Sequence, residues 1–346
     1  MEACANCGRS ATNRCANCRE QVYCSRECQA VDWQRRHKTQ CATEAAIRRA
    51  VATAASRGRR ARDGVTCYVC LEGDGAEARL IHAGCGCRGS AGWVHVSCLL
   101  ETLDHTELRP SLFKLACPSC KLSPSGVVKV RQLQKLWRLC ANRSGSIGVV
   151  ARGALALVLE QHLEFDEALR QCRAAIDLAN KLGIDSDLEL RVCESRILAK
   201  CDRHAEAADL LEPFLVAPGG SLPKLQAASA LALALCKAGK PIDAERVATD
   251  ALRKAPADKH RATRRTLTSH LATALASQGK FDRAFDLLVP CATELMRELG
   301  RHHEHTRHVI THLDAIIACW RRTACPDDWD RLRQADHLVA DLRHRE

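Results

Sequence analysis

The sequence is poor in aromatic side chains and in long apolar runs. Phenylalanine, tryptophan and tyrosine together make up 3% of the 346 residues. No apolar run reaches the roughly 18 residues that a membrane-spanning helix needs. The opening residues, MEACANCGRS, have neither the basic start nor the apolar stretch of a secretory signal. We therefore expect a soluble protein of the cytoplasm or the nucleus, without a membrane segment.

What the sequence has in excess is cysteine. Fourteen of the 22 cysteines lie within the first 120 residues, where a conventional hydrophobic core is hardest to build. Without a secretory signal, this density indicates metal binding rather than disulfides. If these fourteen cysteines bind four zinc ions as thiolates, they add fourteen negative charges and the ions add eight positive ones. The net charge then falls from +11 to +5. The lower charge weakens the case for nucleic-acid binding.

The first cysteine-rich segment contains four pairs of potential zinc ligands. The pairs are Cys4 and Cys7, Cys15 and Cys18, Cys24 and Cys28, and His37 and Cys41. Eight such ligands make two tetrahedral sites. The first two pairs have the C-x2-C spacing of tight turns, whereas the four-residue spacing of the other two pairs puts both ligands on one face of a short helix.

Residues 4 to 41 resemble the MYND zinc finger, with all eight ligand positions filled and the string YCSRECQAVDWQRRH in place. The resemblance implies that one zinc is held by Cys4, Cys7, Cys24 and Cys28, and the other by Cys15, Cys18, His37 and Cys41. It also implies a surface groove for short proline-containing peptides, with Gln29 and Trp33 among its walls. Trp33 has an alternative role, which is to cover the small core of the finger, and one ring can serve both purposes.

Residues 44–64 separate the two cysteine-rich segments and are rich in alanine and arginine. The string RGRRAR, residues 57 to 62, could act as a nuclear-localisation or nucleic-acid patch. No aromatic residue stands among these arginines to stack on bases, however. We interpret the segment as a basic, solvated helical linker.

The second cysteine-rich segment again has four ligand pairs, with the histidine in fifth place. The pairs are Cys67 and Cys70, Cys85 and Cys87, His95 and Cys98, and Cys117 and Cys120. PHD fingers, which read histone tails, and RING-CH fingers of ubiquitin ligases share this order. The string CGCRGSAGWVHVSCL, with its C-x-C second pair and seven residues before the histidine, resembles the RING-CH finger. Cross-bracing then assigns one zinc to Cys67, Cys70, His95 and Cys98, and the other to Cys85, Cys87, Cys117 and Cys120.

A closed tetrahedral zinc site leaves no open position for a substrate, so these ions are structural. RING ligases act instead by positioning a ubiquitin-conjugating enzyme that carries thioester-linked ubiquitin. The resemblance implies three docking positions, which this chain fills with Val69, Pro118 and Lys121. RING-CH fingers commonly carry a tryptophan four residues after the sixth ligand, where this chain has Thr102. Thr102 is the sequence feature that favours an alternative, a RING-like scaffold that recruits no conjugating enzyme.

From residue 125 onward, apolar residues recur at helical spacing between short polar turns. The strings EFDEAL, HAEAAD, PIDAER and KFDRAF align on Ala168, Ala207, Ala244 and Ala284, at intervals of 39, 37 and 40 residues. A period near forty indicates stacked helix pairs. The pattern resembles the tetratricopeptide repeat (TPR), in particular the kinesin-light-chain variety. Such a stack creates a concave face that suits an extended peptide.

The sequence thus predicts two cross-braced zinc modules followed by an all-α, TPR-like solenoid. The predicted segments are a MYND finger (1–43), a linker (44–64), a RING-CH finger (65–124) and the solenoid (125–346). Our preferred function is a ubiquitin-protein ligase that binds four Zn²⁺ and forms no covalent intermediate on this chain. It would bind protein or peptide substrates through the MYND groove and the concave face.

Two other functions stay open at this point. One is a non-catalytic adaptor whose zinc modules and repeats only gather protein partners. The other is a chromatin or DNA factor, which depends on the arginine string and on the histidine position shared with PHD fingers.

Overall fold

The computed structural model describes residues 2–56, 64–75, 79–104, 117, 119–121, 124–140, 145–184, 187–215, 221–255, 260–299 and 304–344. The chain divides into two compact units, Met1–Leu190 and Arg191–Glu346. Among the described residues, short strand pairs occur only near the cysteine-rich segments, and most of the other residues are helical. No helix among the described residues is long and apolar enough to cross a membrane.

The N-terminal module combines two small antiparallel strand pairs with a helical segment. The strand pairs are β1 (Glu2–Ala3) with β2 (Ser10–Ala11), and β3 (Asn13–Arg14) with β4 (Val22–Tyr23). The helical segment consists of α1 (Arg26–Asp32), a π-helical turn (Trp33–His37) and α2 (Lys38–Ser56). Ser25 caps the N-terminus of α1. Its hydroxyl oxygen accepts a hydrogen bond from the backbone N–H of Cys28, which satisfies one of the donors that the helix itself leaves unpaired.

The second module is built on one antiparallel strand pair and one helix. Its elements are β5 (Leu80–His82), a 3₁₀ turn (Gly89–Gly92), β6 (Trp93–His95) and α3 (Val96–Asp104). Its buried cluster contains Leu80, Trp93, Val94 and Leu99 and also takes in Val128, which belongs to the following helix. The second module therefore shares its core with the helical region.

Helix α2 differs from the solvated linker that the sequence predicts. The segment is helical as far as Ser56, but one face is buried, and its buried apolar residues are Ala45, Ala46, Ile47, Ala50 and Ala54. This face packs on α4 (Gly126–Cys140), a helix that also contacts α3 and α5 (Ser146–Gln161). Residues 44–56 are helical, as the sequence predicts, but their small alanines let α2 approach α4 closely, so this face is packed rather than solvated. The arginine string at residues 57–62 lies outside the described residues.

Helix pairs follow one another along the remainder of the chain. The first unit continues with α6 (Phe165–Leu182) and the start of α7 (Asp187–Lys200). The second unit contains α8 (His204–Leu211), a 3₁₀ turn (Glu212–Leu215), α9 (Leu222–Lys237), α10 (Pro241–Lys254), α11 (Arg261–Ala276), α12 (Phe281–Leu299), α13 (Glu304–Thr323), a 3₁₀ turn (Pro326–Asp328) and α14 (Trp329–His344). This arrangement confirms the prediction of zinc modules followed by an all-α, TPR-like region.

The repeat predicted from the sequence has a direct structural counterpart. The four aligned alanines, Ala168, Ala207, Ala244 and Ala284, are all fully buried near the starts of their helices. The turn before each of these helices contains one residue in the left-handed region, with φ between 63° and 79°: Leu163, Asp202, Gly239 and Gly279. The next backbone N–H donates to the carbonyl oxygen of a leucine five residues earlier, at 2.8 to 3.0 Å in every turn. The same turn thus joins the two helices of each pair.

Candidate zinc centres and docking surface

The structure brings sixteen side chains together in four clusters of four. Within each cluster, the potential ligand atoms lie within 4.8 Å of one another. The clusters are Cys4, Cys7, Cys24 and Cys28; Cys15, Cys18, His37 and Cys41; Cys67, Cys70, His95 and Cys98; and Cys85, Cys87, Cys117 and Cys120. In both modules the first ligand pair joins the third and the second joins the fourth. Four cross-braced clusters of cysteine and histidine fit four zinc ions.

Sulfur separations distinguish these clusters from disulfides. The Sγ atoms of Cys7 and Cys24 are 3.5 Å apart, and those of Cys87 and Cys117 are 3.7 Å apart. A disulfide joins its sulfurs at about 2.0 Å. A tetrahedron with zinc–sulfur bonds of about 2.3 Å has edges of about 3.8 Å. None of the 22 cysteines forms a disulfide, and the ligand sulfurs have the spacing of a zinc tetrahedron.

The same backbone turn carries all four C-x2-C pairs. In each, the N–H of the residue after the second cysteine donates to the carbonyl oxygen of the first, at 2.9 Å. These following residues are Gly8, Arg19, Leu71 and Lys121, with φ between 58° and 76°. The left-handed conformation costs a residue other than glycine roughly 1 kcal/mol. Zinc coordination offsets this cost and fixes the direction in which the Leu71 and Lys121 side chains leave the backbone.

The two histidines use different ring nitrogens. His95 has its Nδ1 atom 3.2 Å from the Cys70 sulfur, and its Nε2 atom lies 3.1 Å from the carbonyl oxygen of Gly73. Because that carbonyl can only accept, Nε2 carries the proton and Nδ1 offers its lone pair to the metal. In His37 the Nε2 atom faces the Cys18 sulfur at 3.6 Å. Burial lowers the pKa of His37, which favours the neutral ring that binds zinc.

The Trp33 side chain contacts the core of the finger and also reaches the surface. Its ring meets the His37 imidazole edge to face, with centroids 5.6 Å apart, so it covers one zinc ligand. The side chain is nevertheless 37% exposed, as is that of Val31, while Gln29 is half-buried. Below them, the buried Asp32 carboxylate accepts hydrogen bonds from the Tyr23 hydroxyl and from Arg36, which fixes α1 on the module. The peptide groove at Gln29 and Trp33 stays a prediction.

The predicted docking residues of the second module are only partly described. Val69 is 40% exposed and Lys121 is exposed, whereas Pro118 lies outside the described residues. The backbone of Thr102 lies in α3, and its side chain is not described. Sequence reasoning missed Leu71, which is 74% exposed. The signal that could have found it is its place directly after a C-x2-C pair, where an exposed apolar side chain has no role in the core.

Trp93 is the tryptophan nearest to Thr102 in the sequence. Its ring is buried in the core of the second module and meets His82 edge to face, with centroids 5.2 Å apart. A tryptophan inside the core contributes packing area but offers no surface to a partner.

The solved structures that resemble this chain include two with a low TM-score. Both are TPR-like repeats of a putative kinesin light chain from Podosopora anserina, one of them a variant of the other. The variant has a TM-score of 0.44 and 17% identity over 56% of this chain and 92% of its own. The parent has a TM-score of 0.43 and 16% identity over 57% of this chain and 96% of its own. No curated protein matches the chain.

Family models match both cysteine-rich segments. Residues 4–41 match the MYND finger model, and residues 67–120 match the RING-variant domain, which confirms the choice of RING-CH over PHD. The chain therefore carries a zinc-binding MYND finger and a zinc-binding RING-variant domain in series.

Proposed function

We propose that this chain is a ubiquitin-protein ligase. Its RING-variant domain recruits a ubiquitin-conjugating enzyme, and its MYND finger and TPR-like repeats bind the protein substrate. The observation that carries this proposal is the exposed apolar pair Val69 and Leu71, on either side of the zinc ligand Cys70. Two exposed apolar side chains on either side of a zinc ligand suit a protein-interaction site on a module this small.

The zinc turn makes this pair suited to binding another protein. Both side chains stand on a backbone that is tied to the zinc ligands, since the Leu71 N–H donates to the Cys67 carbonyl oxygen. A preorganised apolar pair loses little conformational freedom when a partner covers it. Lys121 follows the corresponding turn of the other zinc cluster and adds a cation to the module's surface. The closed clusters supply no reactive metal, so catalysis would consist of holding the charged enzyme in a productive orientation.

Substrate binding is assigned to the remaining exposed apolar surface and to the repeats. Val31 and Trp33 form an exposed pair on the MYND finger. Within the second unit, the stacked helix pairs give a surface on which an extended segment of a partner can lie. With the binding regions and the RING-variant domain on one polypeptide, a captured substrate would stay at high effective concentration near the conjugating enzyme.

A non-catalytic adaptor is the second candidate function. Thr102 stands where RING-variant domains commonly have a tryptophan, and the buried Trp93 leaves that deficit uncorrected. An adaptor would use the same exposed residues to bind partners without discharging ubiquitin. The chromatin hypothesis loses the support it drew from PHD fingers, because the second module is a RING-variant domain.

The decisive experiment is discharge of thioester-linked ubiquitin from a panel of conjugating enzymes by the full-length, zinc-loaded chain. We expect accelerated discharge, and a loss of roughly tenfold or more in Val69→Glu and Leu71→Asp, since these side chains would form the centre of the contact. Leu163→Asp is the matched control, because Leu163 is another exposed leucine in a left-handed turn, outside the zinc modules. Zinc content is measured for every variant.

Three results would contradict the ligase function or its assigned surface. No discharge with any enzyme of the panel would favour the adaptor. Discharge that survives both Val69→Glu and Leu71→Asp would place the docking surface elsewhere. Equal loss in Leu163→Asp would show that the effect is not specific to the zinc turn.

A further inference from the structure

We propose that the zinc ion held by Cys15, Cys18, His37 and Cys41 also holds helices α4 and α6 against the MYND finger, so that losing this one ion loosens the first TPR-like helices. We name this cluster the second MYND site. The inference goes beyond the proposed function and does not depend on it, because it concerns the folding of the chain rather than ubiquitin transfer.

Two of the four ligands of the second MYND site stand at the start of the long helix α2. His37 ends the π-helical turn and Cys41 lies in the first turn of α2. Their side chains are almost fully buried, as are those of Cys15 and Cys18. Zinc at this site therefore fixes the N-terminal end of a helix that continues as far as Ser56, well beyond the finger itself.

Carboxylates close to this site hold α4. Glu44 follows Cys41 by three residues, is fully buried, and accepts two hydrogen bonds from Arg138, at 2.6 and 2.8 Å. The Gln134 amide donates to the same carboxylate at 2.7 Å. Glu20, two residues after Cys18, accepts a hydrogen bond from Arg138 at 3.3 Å. Both ligand segments of one zinc site thus contribute a carboxylate to the same arginine.

A second set of buried contacts holds α6. The Thr43 hydroxyl, two residues after Cys41, donates to the Glu167 carboxylate at 2.6 Å. The Gln171 amide donates to the Thr43 hydroxyl oxygen at 3.1 Å and to Glu167 at 2.8 Å. Farther along α2, Arg49 makes a two-bond contact with Glu164, at 2.7 and 2.5 Å. Helix α2 therefore contacts both α4 and α6 through polar groups, and the donors to the Glu44 carboxylate, Arg138 and Gln134, both stand on α4.

Burial makes these contacts sensitive to the position of α2. Thr43, Glu44 and Glu167 are each at most 3% exposed. A buried carboxylate that loses its donors is strongly destabilising, so a shift of α2 that separates Glu44 from Arg138 and Gln134 is costly. Since zinc fixes the end of α2 that carries Thr43 and Glu44, metal binding and the packing of α4 and α6 become linked equilibria.

The other zinc site of the same finger provides the contrast. Its last ligand, Cys28, lies in α1, before the π-helical turn, and Cys7 is exposed at the surface. Loss of that ion would loosen the first strand pair but would leave His37 and Cys41 bound at the start of α2. The proposal therefore distinguishes two zinc ions that lie within one small module.

Hydrogen exchange of the full-length, zinc-loaded chain tests the proposal. We expect Cys41→Ser to increase exchange in peptides from α4 and α6 by roughly tenfold, a usual size for coupled sites. Cys7→Ser is the matched control and should increase exchange only within the finger, while peptides from α11 and α12 serve as the internal reference. Unchanged exchange in α4 and α6 of Cys41→Ser would overturn the proposal. Equal increases in the two variants would overturn its assignment to the second site.

The reciprocal experiment leaves every zinc ligand intact, and it applies even if Cys41→Ser fails to fold. Arg138→Met removes two of the three hydrogen bonds to Glu44, and linkage then requires weaker zinc binding at the second MYND site. We expect one of the four ions to transfer to a coloured chelator roughly tenfold faster. Arg246→Met is the control, since this exposed arginine pairs with Asp243 in the second unit. Four unchanged transfer rates in Arg138→Met would overturn the proposal.

Discussion

The MYND finger and the second helical unit are stabilised in different ways. The buried cluster of the finger has eight residues, and half of them are the zinc-ligand cysteines Cys4, Cys15, Cys18 and Cys41. The buried cluster of the second unit has 21 residues, most of them leucine, isoleucine, alanine and valine. A cluster as small as the first cannot offset the conformational entropy lost on folding, whereas the second is a conventional core. Removing metal and removing methyl groups should therefore act on different parts of the chain.

The largest expected effect is that of chelation. Structural zinc contributes apparent free energies of roughly 10 kcal/mol or more per site, so excess chelator should unfold both N-terminal modules. The second unit, Arg191–Glu346, contains none of the four metal clusters found among the described residues and should keep its helices. Hydrogen exchange before and after chelation measures both outcomes in one sample. Loss of protection in α9 to α12 at the same chelator concentration would contradict this division.

A core truncation in the second unit should give the opposite pattern. Leu288 is fully buried in the cluster of that unit, and Leu288→Ala should lower the free energy of unfolding by about 3 kcal/mol. Chemical denaturation, monitored by hydrogen exchange in α11 and α12, measures this change. Leu338→Ala is the control, because Leu338 is 39% exposed and should change stability by less than about 1 kcal/mol. Release of the zinc ions should keep its normal rate in both variants.

The same contrast explains what the sequence could predict. Ligand spacing identified both zinc modules because coordination needs particular residue types at short, regular intervals. The alignment on Ala168, Ala207, Ala244 and Ala284 found the repeats because a close helix approach needs a small residue in each one. The burial of Glu44 was not predictable, since its partner Arg138 is far away in sequence and a single charged residue in a helix usually faces solvent.

A smaller effect should separate the first repeats from the later ones. The left-handed position of the helix–helix turn is occupied by Leu163 in the first unit and by Gly279 in the second. Leu163→Gly should stabilise the turn by up to about 1 kcal/mol, because it relieves backbone strain at a residue that is 62% exposed. Gly279→Ala should destabilise by about 1 kcal/mol through strain alone, since an added Cβ would meet no atom within 4 Å. We therefore expect the denaturation midpoint to rise in Leu163→Gly and to fall in Gly279→Ala.

The smallest effect concerns acid stability of the second unit. Hydrogen bonds from Lys280 and Gln278 hold the pKa of Glu245 below its usual value of 4.5. A carboxyl with a lowered folded-state pKa stabilises the fold above the unfolded pKa, and this contribution is lost as the pH falls through the folded one. The pair is partly exposed, so solvent screening limits its contribution to a few tenths of a kcal/mol. Glu245→Gln should therefore flatten the dependence of the second unit's stability on pH only below about pH 4.5.

The zinc modules should lose their metal at a higher pH than the one at which Glu245 is protonated, because protons compete for all fourteen ligand thiolates. If the second unit of the unchanged protein unfolds at the same pH as the zinc is released, the two regions are not independently stabilised.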